Sequence, residues 1–247
     1  MIKKAPRIHV AADFIVGGDV VLPEGPARHV ARVLRLGEGA PLRLFDGSGL
    51  EASVVLVEAS RKRVVVRIES IANGEGESAL IVHLGQAISK GDRMDYAIQK
   101  AVELGVAAIT PLYTEHGDVR LRGEREVKKL AHWQAVAISA CEQCGRARVP
   151  PVHSPMALAD WLAERDEALR LVLHPATDFE AKALLECEVA PASVALVIGP
   201  EGGLAEVEVE AARARGFAPL SLGPRILRTE TAPVVALSLL QHRFGDL

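Results

Sequence analysis

The run Val194-Ala195-Leu196-Val197-Ile198-Gly199-Pro200-Glu201-Gly202-Gly203 decides the architecture. An unbroken apolar run with no polar alternation describes a strand buried on both faces, the condition of strands inside a parallel sheet. Open parallel sheets place ligand sites beyond the carboxyl ends of such strands. At that end this chain has Pro200, which fixes one dihedral, and Gly202 and Gly203, which let bare backbone bend sharply and approach a ligand. A second turn of the same kind, Leu222-Gly223-Pro224-Arg225-Ile226-Leu227-Arg228-Thr229-Glu230-Thr231-Ala232, leads into Pro233–Gln241, a segment apolar on nearly every face of a helix. Neither turn is a nucleotide fingerprint, because the G-x-G-x-x-G spacing is missing and no Gly-Lys-Ser/Thr follows.

Working outward, residues 79–247 alternate strand and helix. Strands are expected at Leu80–Leu84, Ala107–Tyr113, Leu169–His174, Val194–Ile198 and Pro219–Leu222. Helices are expected at Lys90–Leu104, closed by Gly105, and at Glu124–Gln143. After the first glycine turn, Glu206, Glu208 and Glu210 precede Arg213 and Arg215, the order a helix dipole favours, and Gly216 can close that helix. The last helix begins after Thr229 or Thr231, either of which can cap it, and tolerates Pro233 in its first turn. This alternation is the pattern of an α/β domain with a parallel sheet covered on both faces.

Residues 1–73 read differently. Pro41–Phe45, Ala52–Val57 and Arg63–Ile68 are short β-branched runs separated by turn signals, with Asp46-Gly47-Ser48-Gly49 the strongest turn and a helical piece at Ala27–Leu36. Small β-barrels have this texture. Asn73-Gly74-Glu75-Gly76-Glu77 reads as a linker, which divides the chain into domains at 1–73 and 79–247.

The chain of 247 residues is 49% hydrophobic and 25% charged, enough apolar material for a proper core. Aromatics are only 4%, so base stacking on aromatic platforms is not its main strategy. Net charge is −3, but residues 1–73 carry 11 Lys/Arg against 8 Asp/Glu, or +3, and residues 74–247 carry 18 against 24, or −6. A nucleic-acid partner would therefore meet the N-terminal segment first. Met1–Arg7 lacks the apolar core of a secretory signal, no run has the length of a membrane span, and three cysteines make no disulfide framework, so the expected compartment is the cytoplasm.

Four blocks resemble one family. They are Arg28-His29-Val30-Ala31-Arg32-Val33-Leu34-Arg35; Lys90-Gly91-Asp92-Arg93-Met94-Asp95 with Gln99–Val106; Glu142-Gln143-Cys144-Gly145-Arg146 followed by Val149-Pro150; and the two C-terminal turns. In this order they resemble the small-subunit ribosomal RNA uridine N3-methyltransferases (the RsmE family) of the SPOUT superfamily. The resemblance implies a C-terminal SPOUT methyltransferase domain, a trefoil-knotted α/β fold on a parallel sheet, and a small N-terminal PUA-like β-barrel that binds RNA. It also implies a homodimer, S-adenosylmethionine as cofactor with no metal, and 16S ribosomal RNA of the small ribosomal subunit as partner. The loops implied to hold the cofactor are Leu173-His174-Pro175, Ile198-Gly199-Pro200-Glu201-Gly202-Gly203, and Leu222, Gly223, Arg225, Ile226, Leu227, Arg228, Thr231 and Ala232. Candidate RNA contacts are Arg7, His29, Arg32, Arg35, Lys90, Arg93, Lys100, Gln143 and Arg146.

The chemistry sets its own demands. S-adenosylmethionine already carries an electrophilic methyl and a good leaving group, so neither a metal nor a covalent nucleophile is needed. Uridine N3 holds a proton and is a poor nucleophile until that proton leaves, so the enzyme must align N3 with the methyl and stabilise the imide anion. Arg228 is the candidate for charge stabilisation or for a phosphate contact, and Glu230 for the base or for orienting that arginine. The target uridine must be flipped out or already lie in an open strand.

Other features have plainer readings. Cys141-Glu142-Gln143-Cys144 lies late in a helix, away from any strand-to-helix turn, with Cys187 remote, so packed cysteines are expected rather than a redox or zinc site. His29 and Arg35 either cover the barrel's flank or touch RNA, and Glu103 is placed to pair with Lys100. One departure stands out: after Pro111 the family pattern has an arginine where this chain has His116, mostly neutral at pH 7. Two alternatives stay open, another SPOUT RNA methyltransferase with a different target, and a non-catalytic RNA-binding ribosome-assembly factor.

Overall fold

The computed structural model of the chain describes residues 5–60, 63–174 and 190–247. They form two compact units, Met1–Glu77 with Cys141–Val149, and Ser78–Ala140 with Pro150–Leu247. The sequence places the whole of 79–247 in one domain; the structure instead counts Cys141–Val149 with the first unit.

The first unit is built on a mixed sheet in the order β1-β3-β4-β5-β2. Its strands are β1 (Arg7–His9), β2 (Asp19–Val21), β3 (Pro41–Phe45), β4 (Leu50–Ala59) and β5 (Val64–Asn73). β1 runs parallel to β3, and the other pairs are antiparallel. The turn between β3 and β4 is organised by Asp46, whose carboxylate accepts the backbone N–H groups of Ser48, Gly49 and Leu50 at 2.8, 3.2 and 3.1 Å. That is an Asx-type device, and it explains why this turn is legible in sequence. Inward-facing Leu42, Leu44, Val54, Leu56, Val66 and Ile68 make the core with Ile8 and Val30.

The expected helix at Ala27–Leu36 is instead a short helix α1 (Glu24–Arg28) continued by a π-helical turn, His29–Val33. Pro23 stands at the N-cap position, and Pro26 lies in the first turn, where a missing N–H costs nothing. The wider turn closes through Leu34 N donating to His29 O at 2.9 Å, and the chain leaves it at Arg35 with φ 53°.

The residues read as a linker are pinned. A Cβ on Gly74 would lie 2.1 Å from the Ala147 side chain, so only glycine fits there. Glu77 accepts from the Arg146 guanidinium at 2.8 Å and from the Arg148 backbone N–H at 2.9 Å.

The second unit is a six-stranded sheet in the order β11-β9-β10-β6-β7-β8, parallel at every pairing. The strands are β6 (Ile81–Ala87), β7 (Ala108–Tyr113), β8 (Met156–Ala157), β9 (Leu169–Leu173), β10 (Ser193–Ile198) and β11 (Ala218–Leu220). β10 sits between β9 and β6, and its Val194–Ile198 are at most 1% exposed, as the unbroken apolar run demands. The helices are α2 (Asp92–Glu103), α3 (Glu124–Cys144), α4 (Leu158–Ala163), α5 (Glu206–Ala214) and α6 (Ala232–Phe244). On one face Trp161 and Phe217 meet at 6.1 Å between centroids, packed with Leu112, Val172, Val197 and Ala212. α6 docks through a fully buried glutamine: Gln241 donates to Leu104 O at 3.0 Å and accepts from Ser78 Oγ at 2.7 Å.

At the helix ends, α5 has the expected order, with Glu206 and Glu208 in its first turn, Arg213 in its last and Gly216 at φ 79° beyond it, and one expectation about α6 changes. Glu208 bridges the start of α5, accepting from Ala205 N at 2.9 Å and from Glu115 N at 2.9 Å. At α6, Thr231 holds the N-cap position but makes no side-chain cap bond, and Pro233 lies in the first turn. Thr229, the other expected cap, is used elsewhere.

Candidate active site

Strands β9, β10 and β11 are neighbours in the sheet, so the segments at their carboxyl ends come together. After β10 the chain turns through Gly199–Leu204, with Gly203 N donating to Pro200 O at 2.9 Å. Gly203 has φ +76°, a conformation that side-chain-bearing residues rarely adopt. After β9, His174 N donates to Leu220 O at 3.1 Å, which ties that end to β11. After β11, Ser221–Leu227 forms the third wall.

Between these segments lies a cavity of about 220 Å³. Leu173, His174, Ile198, Gly199, Pro200, Glu201, Gly202, Gly203, Leu222, Gly223, Arg225, Ile226, Leu227 and Ala232, all expected from sequence, line it. Arg228 and Thr231 do not; both are exposed beside it. Pro175 and Cys187 fall outside the described residues. Leu204, Ser221 and Thr229 also line the cavity; of these the sequence singles out only Thr229, and as a helix cap rather than a wall. Larger grooves of about 1020 and 620 Å³ lie on the first unit, but neither gathers glycine turns and apolar walls in this way.

The lining suits a nucleoside-bearing cofactor. Leucine and isoleucine side chains offer apolar walls for a flat base, while the backbone of the glycine turns offers donors and acceptors without side-chain obstruction. Thr229 is the buried one among the polar residues of the lining: it is 4% exposed, and its hydroxyl donates to Gly199 O at 2.7 Å. Gln86, fully buried at the end of β6, donates through Nε2 to the Thr229 hydroxyl at 3.1 Å. Gln86, a polar residue near the end of the mostly apolar strand Ile81–Ala87, carried only a weak signal in sequence, and nothing local signalled its partner.

The candidate catalytic pair stays apart. Arg228 is exposed and forms no ion pair among the described residues, Glu230 included. Glu230 turns one carboxylate oxygen inward, buried and without a donor among those residues. The reading of Glu230 as the orienter of Arg228 therefore has no contact behind it.

His116, the departure from the family pattern, lies against the glycine turn. Its Nδ1 is 3.3 Å from Gly203 O, and its Cβ lies 3.3 Å from where a Cβ on Gly202 would be. Arg120 braces the same loop by donating to Thr114 O at 2.8 Å and Gly117 O at 2.7 Å.

The expected RNA contacts divide. His29, Arg32, Arg35 and Gln143 are exposed on the first unit. Lys90 pairs with Asp118 at 2.5 Å, and Arg93 with Glu201 of the glycine turn at 2.6 Å. Lys100 pairs with Glu103 at 2.7 Å, as the sequence anticipated.

Arg7 and Arg146 need correction. Arg7 donates to Glu51 at 2.6 Å, to Cys141 O at 2.8 Å and to Arg146 O at 3.2 Å. The Arg146 side chain is 6% exposed and pairs with Glu77. Both guanidiniums are consumed inside the first unit, so neither is free to meet a phosphate. The cysteine reading also changes in part: Cys141 is buried, and burial pushes its thiol up to about 12, whereas Cys144 is exposed. Among the described residues no cluster of His, Cys, Asp and Glu is arranged to hold a metal.

A parallel α/β unit whose adjacent strand ends deliver three turns to one cavity, beside a small mixed-sheet unit, is the arrangement that the resemblance to SPOUT methyltransferases implies, and the comparisons with known proteins place the chain in that class. The family model described as an RNA methyltransferase domain matches residues 76–241, and one described as an RNA methyltransferase PUA domain matches residues 22–69. The chain is 35% identical to the ribosomal RNA small subunit methyltransferase E of Buchnera aphidicola, over 100% of both chains. The crystal structure of the enzyme of that name from Neisseria gonorrhoeae, bound to S-adenosyl methionine, is 37% identical with a TM-score of 0.90, covering 98% of this chain and 99% of that one. A candidate methyltransferase from Legionella pneumophila, solved with bound SAM, is 43% identical with a TM-score of 0.94, covering 99% and 100%. The chain belongs to this family of RNA methyltransferases.

Proposed function

We propose that this chain transfers a methyl group from S-adenosylmethionine to N3 of a uridine in 16S ribosomal RNA of the small ribosomal subunit. The observation that carries the reading is the convergence of the three turns on one cavity with bare-backbone and apolar walls. The relatives whose structures hold this cofactor cover nearly the whole chain at high similarity, which supports the same occupant here.

S-adenosylmethionine, when bound, supplies an activated methyl on a sulfonium with a neutral thioether as leaving group. The chain's residues then have to orient uridine N3, remove its proton and stabilise the anion left on the imide. Arg228, exposed at the cavity's edge and unpaired by any described carboxylate, is assigned to that anion or to the flanking phosphate. Glu230 is assigned as the base. His29, Arg32, Arg35 and Gln143 are assigned to RNA contact, with Lys90 and Arg93 contributing from the second unit once their exposed acidic partners are exchanged for phosphate, and Lys100 from its partly buried pair with Glu103.

We read the assembly as a homodimer. Val234 and Val235 of α6 are half-buried and Leu239 is 43% exposed, more apolar surface than a monomer's terminal helix needs to show. Among the described residues no helix is long and apolar enough to cross a membrane, and a ribosomal RNA substrate puts the enzyme in the cytoplasm.

The test is methyl transfer from labelled S-adenosylmethionine to unmodified small ribosomal subunits, with nucleoside mass spectrometry of the RNA. The expected product is 3-methyluridine, lost on Arg228→Ala. Cofactor binding without that product would leave an RNA methyltransferase with another target.

A further inference from the structure

Three segments far apart in sequence meet at one hydroxyl. Gln86 is the penultimate residue of β6, Gly199 opens the glycine turn after β10, and Thr229 lies between Arg228 and Glu230. The direction of the bonds is determined by chemistry. The Gly199 carbonyl can only accept, so the Thr229 hydroxyl must donate to it, at 2.7 Å. The oxygen of that hydroxyl then accepts from Gln86 Nε2, at 3.1 Å, which fixes the orientation of the Gln86 amide. Gln86 Nε2 also reaches Ala87 O at 3.3 Å, so the amide is held at both of its donor positions. The two side chains are out of water, Gln86 at 0% and Thr229 at 4% exposed, while Gly199 is half-buried at the cavity's edge.

We infer that Thr229, aimed by Gln86, is a positioning residue that locks the two turns of the cofactor cavity in register. It is not a catalytic residue, because its proton is committed to Gly199 and is not available to a ligand. Its effect passes through the backbone. Gly199 leads directly into the turn that lines the cavity, and Thr229 carries Arg228 and Glu230 on either side. Loss of the hydroxyl removes the partner of the half-buried Gly199 carbonyl and leaves one N–H of the fully buried Gln86 amide unpaired, which loosens the hold between the two turns. Cofactor affinity and the placement of Arg228 therefore depend on the same atom. A bond that served folding alone would lower the melting temperature and leave both of these unchanged. The inference rests on the cavity being the S-adenosylmethionine site.

The experiment is calorimetric titration of the full-length protein with S-adenosylmethionine, alongside melting curves without cofactor and the methyl-transfer assay. Thr229→Val keeps the shape and removes the hydroxyl; it is expected to raise the Kd roughly tenfold, the order expected for stranding buried polar groups. Thr229→Ser keeps the hydroxyl and is expected to stay within about threefold of the parent. Gln86→Met, similar in volume, should weaken binding in the same direction, and the Val/Met double variant should bind no worse than Thr229→Val alone, because both changes break one unit.

A Thr229→Val protein that melts lower but binds as the parent does overturns the inference. So does a Ser variant as weak as the Val variant, or additive effects in the double variant. If Thr229→Val does not fold, weak binding by Gln86→Met with normal binding by Thr229→Ser supports the inference, and any other combination overturns it. Failure of the functional reading looks different. A parent that binds the cofactor but makes no 3-methyluridine loses the uridine assignment and keeps the lock, whereas a parent that does not bind S-adenosylmethionine removes both.

Discussion

The arginines of the first unit and those beside the cavity of the second contrast sharply. Arg146 is buried and Arg7 half-buried, each with a carboxylate, and Arg7 with backbone carbonyls as well. Arg225 and Arg228 are exposed on the turn after β11, with no ion pair among the described residues. Residue type and sequence motif are the same kind of signal in both places; the sequence reading treated Arg7, Arg146 and Arg228 alike as RNA or catalytic groups. What separates them is whether the guanidinium already has an anion. A buried guanidinium with a carboxylate is a strut, because breaking the pair strands a charge in a poorly solvated place. An exposed guanidinium without one costs nothing to hold ready for an anion that arrives with the substrate.

That contrast can be broken in four ways. The largest expected effect is on the strut. Arg146→Met strands the partly buried Glu77 carboxylate and should lower unfolding free energy by about 3 kcal/mol, read from urea denaturation. Next, Arg228→Ala should cost roughly a hundredfold in methyl transfer, the order found for loss of one charge-stabilising donor, with the melting temperature unchanged. If Arg228→Ala destabilises as Arg146→Met does, the distinction collapses.

A smaller effect lies in the same first unit, at Cys141. Burial raises its thiol from 9.0 to about 12. The folded state thus holds that proton when the unfolded chain has lost it, so the contribution is intact below pH 9 and is lost as pH rises toward 12. Stability measured by urea titration should fall across that window, and Cys141→Ala should flatten the fall. The smallest change is at Lys90, whose pair with Asp118 is exposed on both sides, at 66% and 71%. Lys90→Ala should leave stability within about 0.5 kcal/mol while weakening RNA binding and its salt dependence, measured by filter binding at several salt concentrations.

The sheet of the second unit was legible because its strands are short, largely apolar runs, unbroken in Val194–Ile198, and its turns carry glycine where backbone bends sharply. Val194–Ile198 and the two turns that follow gave most of the cavity's lining without any structure. The π-helical turn at His29–Val33 was not legible, because its wider hydrogen bonding depends on how Val30 reaches the core, and local propensity reads it as an ordinary helix. Nor was the burial of Arg7 and Arg146, since their carboxylate and carbonyl partners lie 44 to 139 positions away along the chain, or in the case of Glu77, 69. The Thr229 bridge fell between these cases: its residue sat inside a motif already singled out, but the reading assigned the hydroxyl to helix capping. The partner, Gln86, is 143 positions distant, and no periodicity connects them.

The return of Cys141–Val149 to the first unit bears on how this protein can be dissected. A gene fragment ending at Glu77 would encode every strand of the mixed sheet, yet the Arg7 guanidinium would lose its carbonyl acceptors at Cys141 and Arg146, the His9 amide its acceptor on Glu142, and Glu77 the arginine that neutralises it. The first unit is thus encoded in two separate stretches of the sequence. An isolated copy of it would have to be stitched from both pieces by a designed splice, and a circular permutant that joins them in one reading frame is the natural form in which to study it alone.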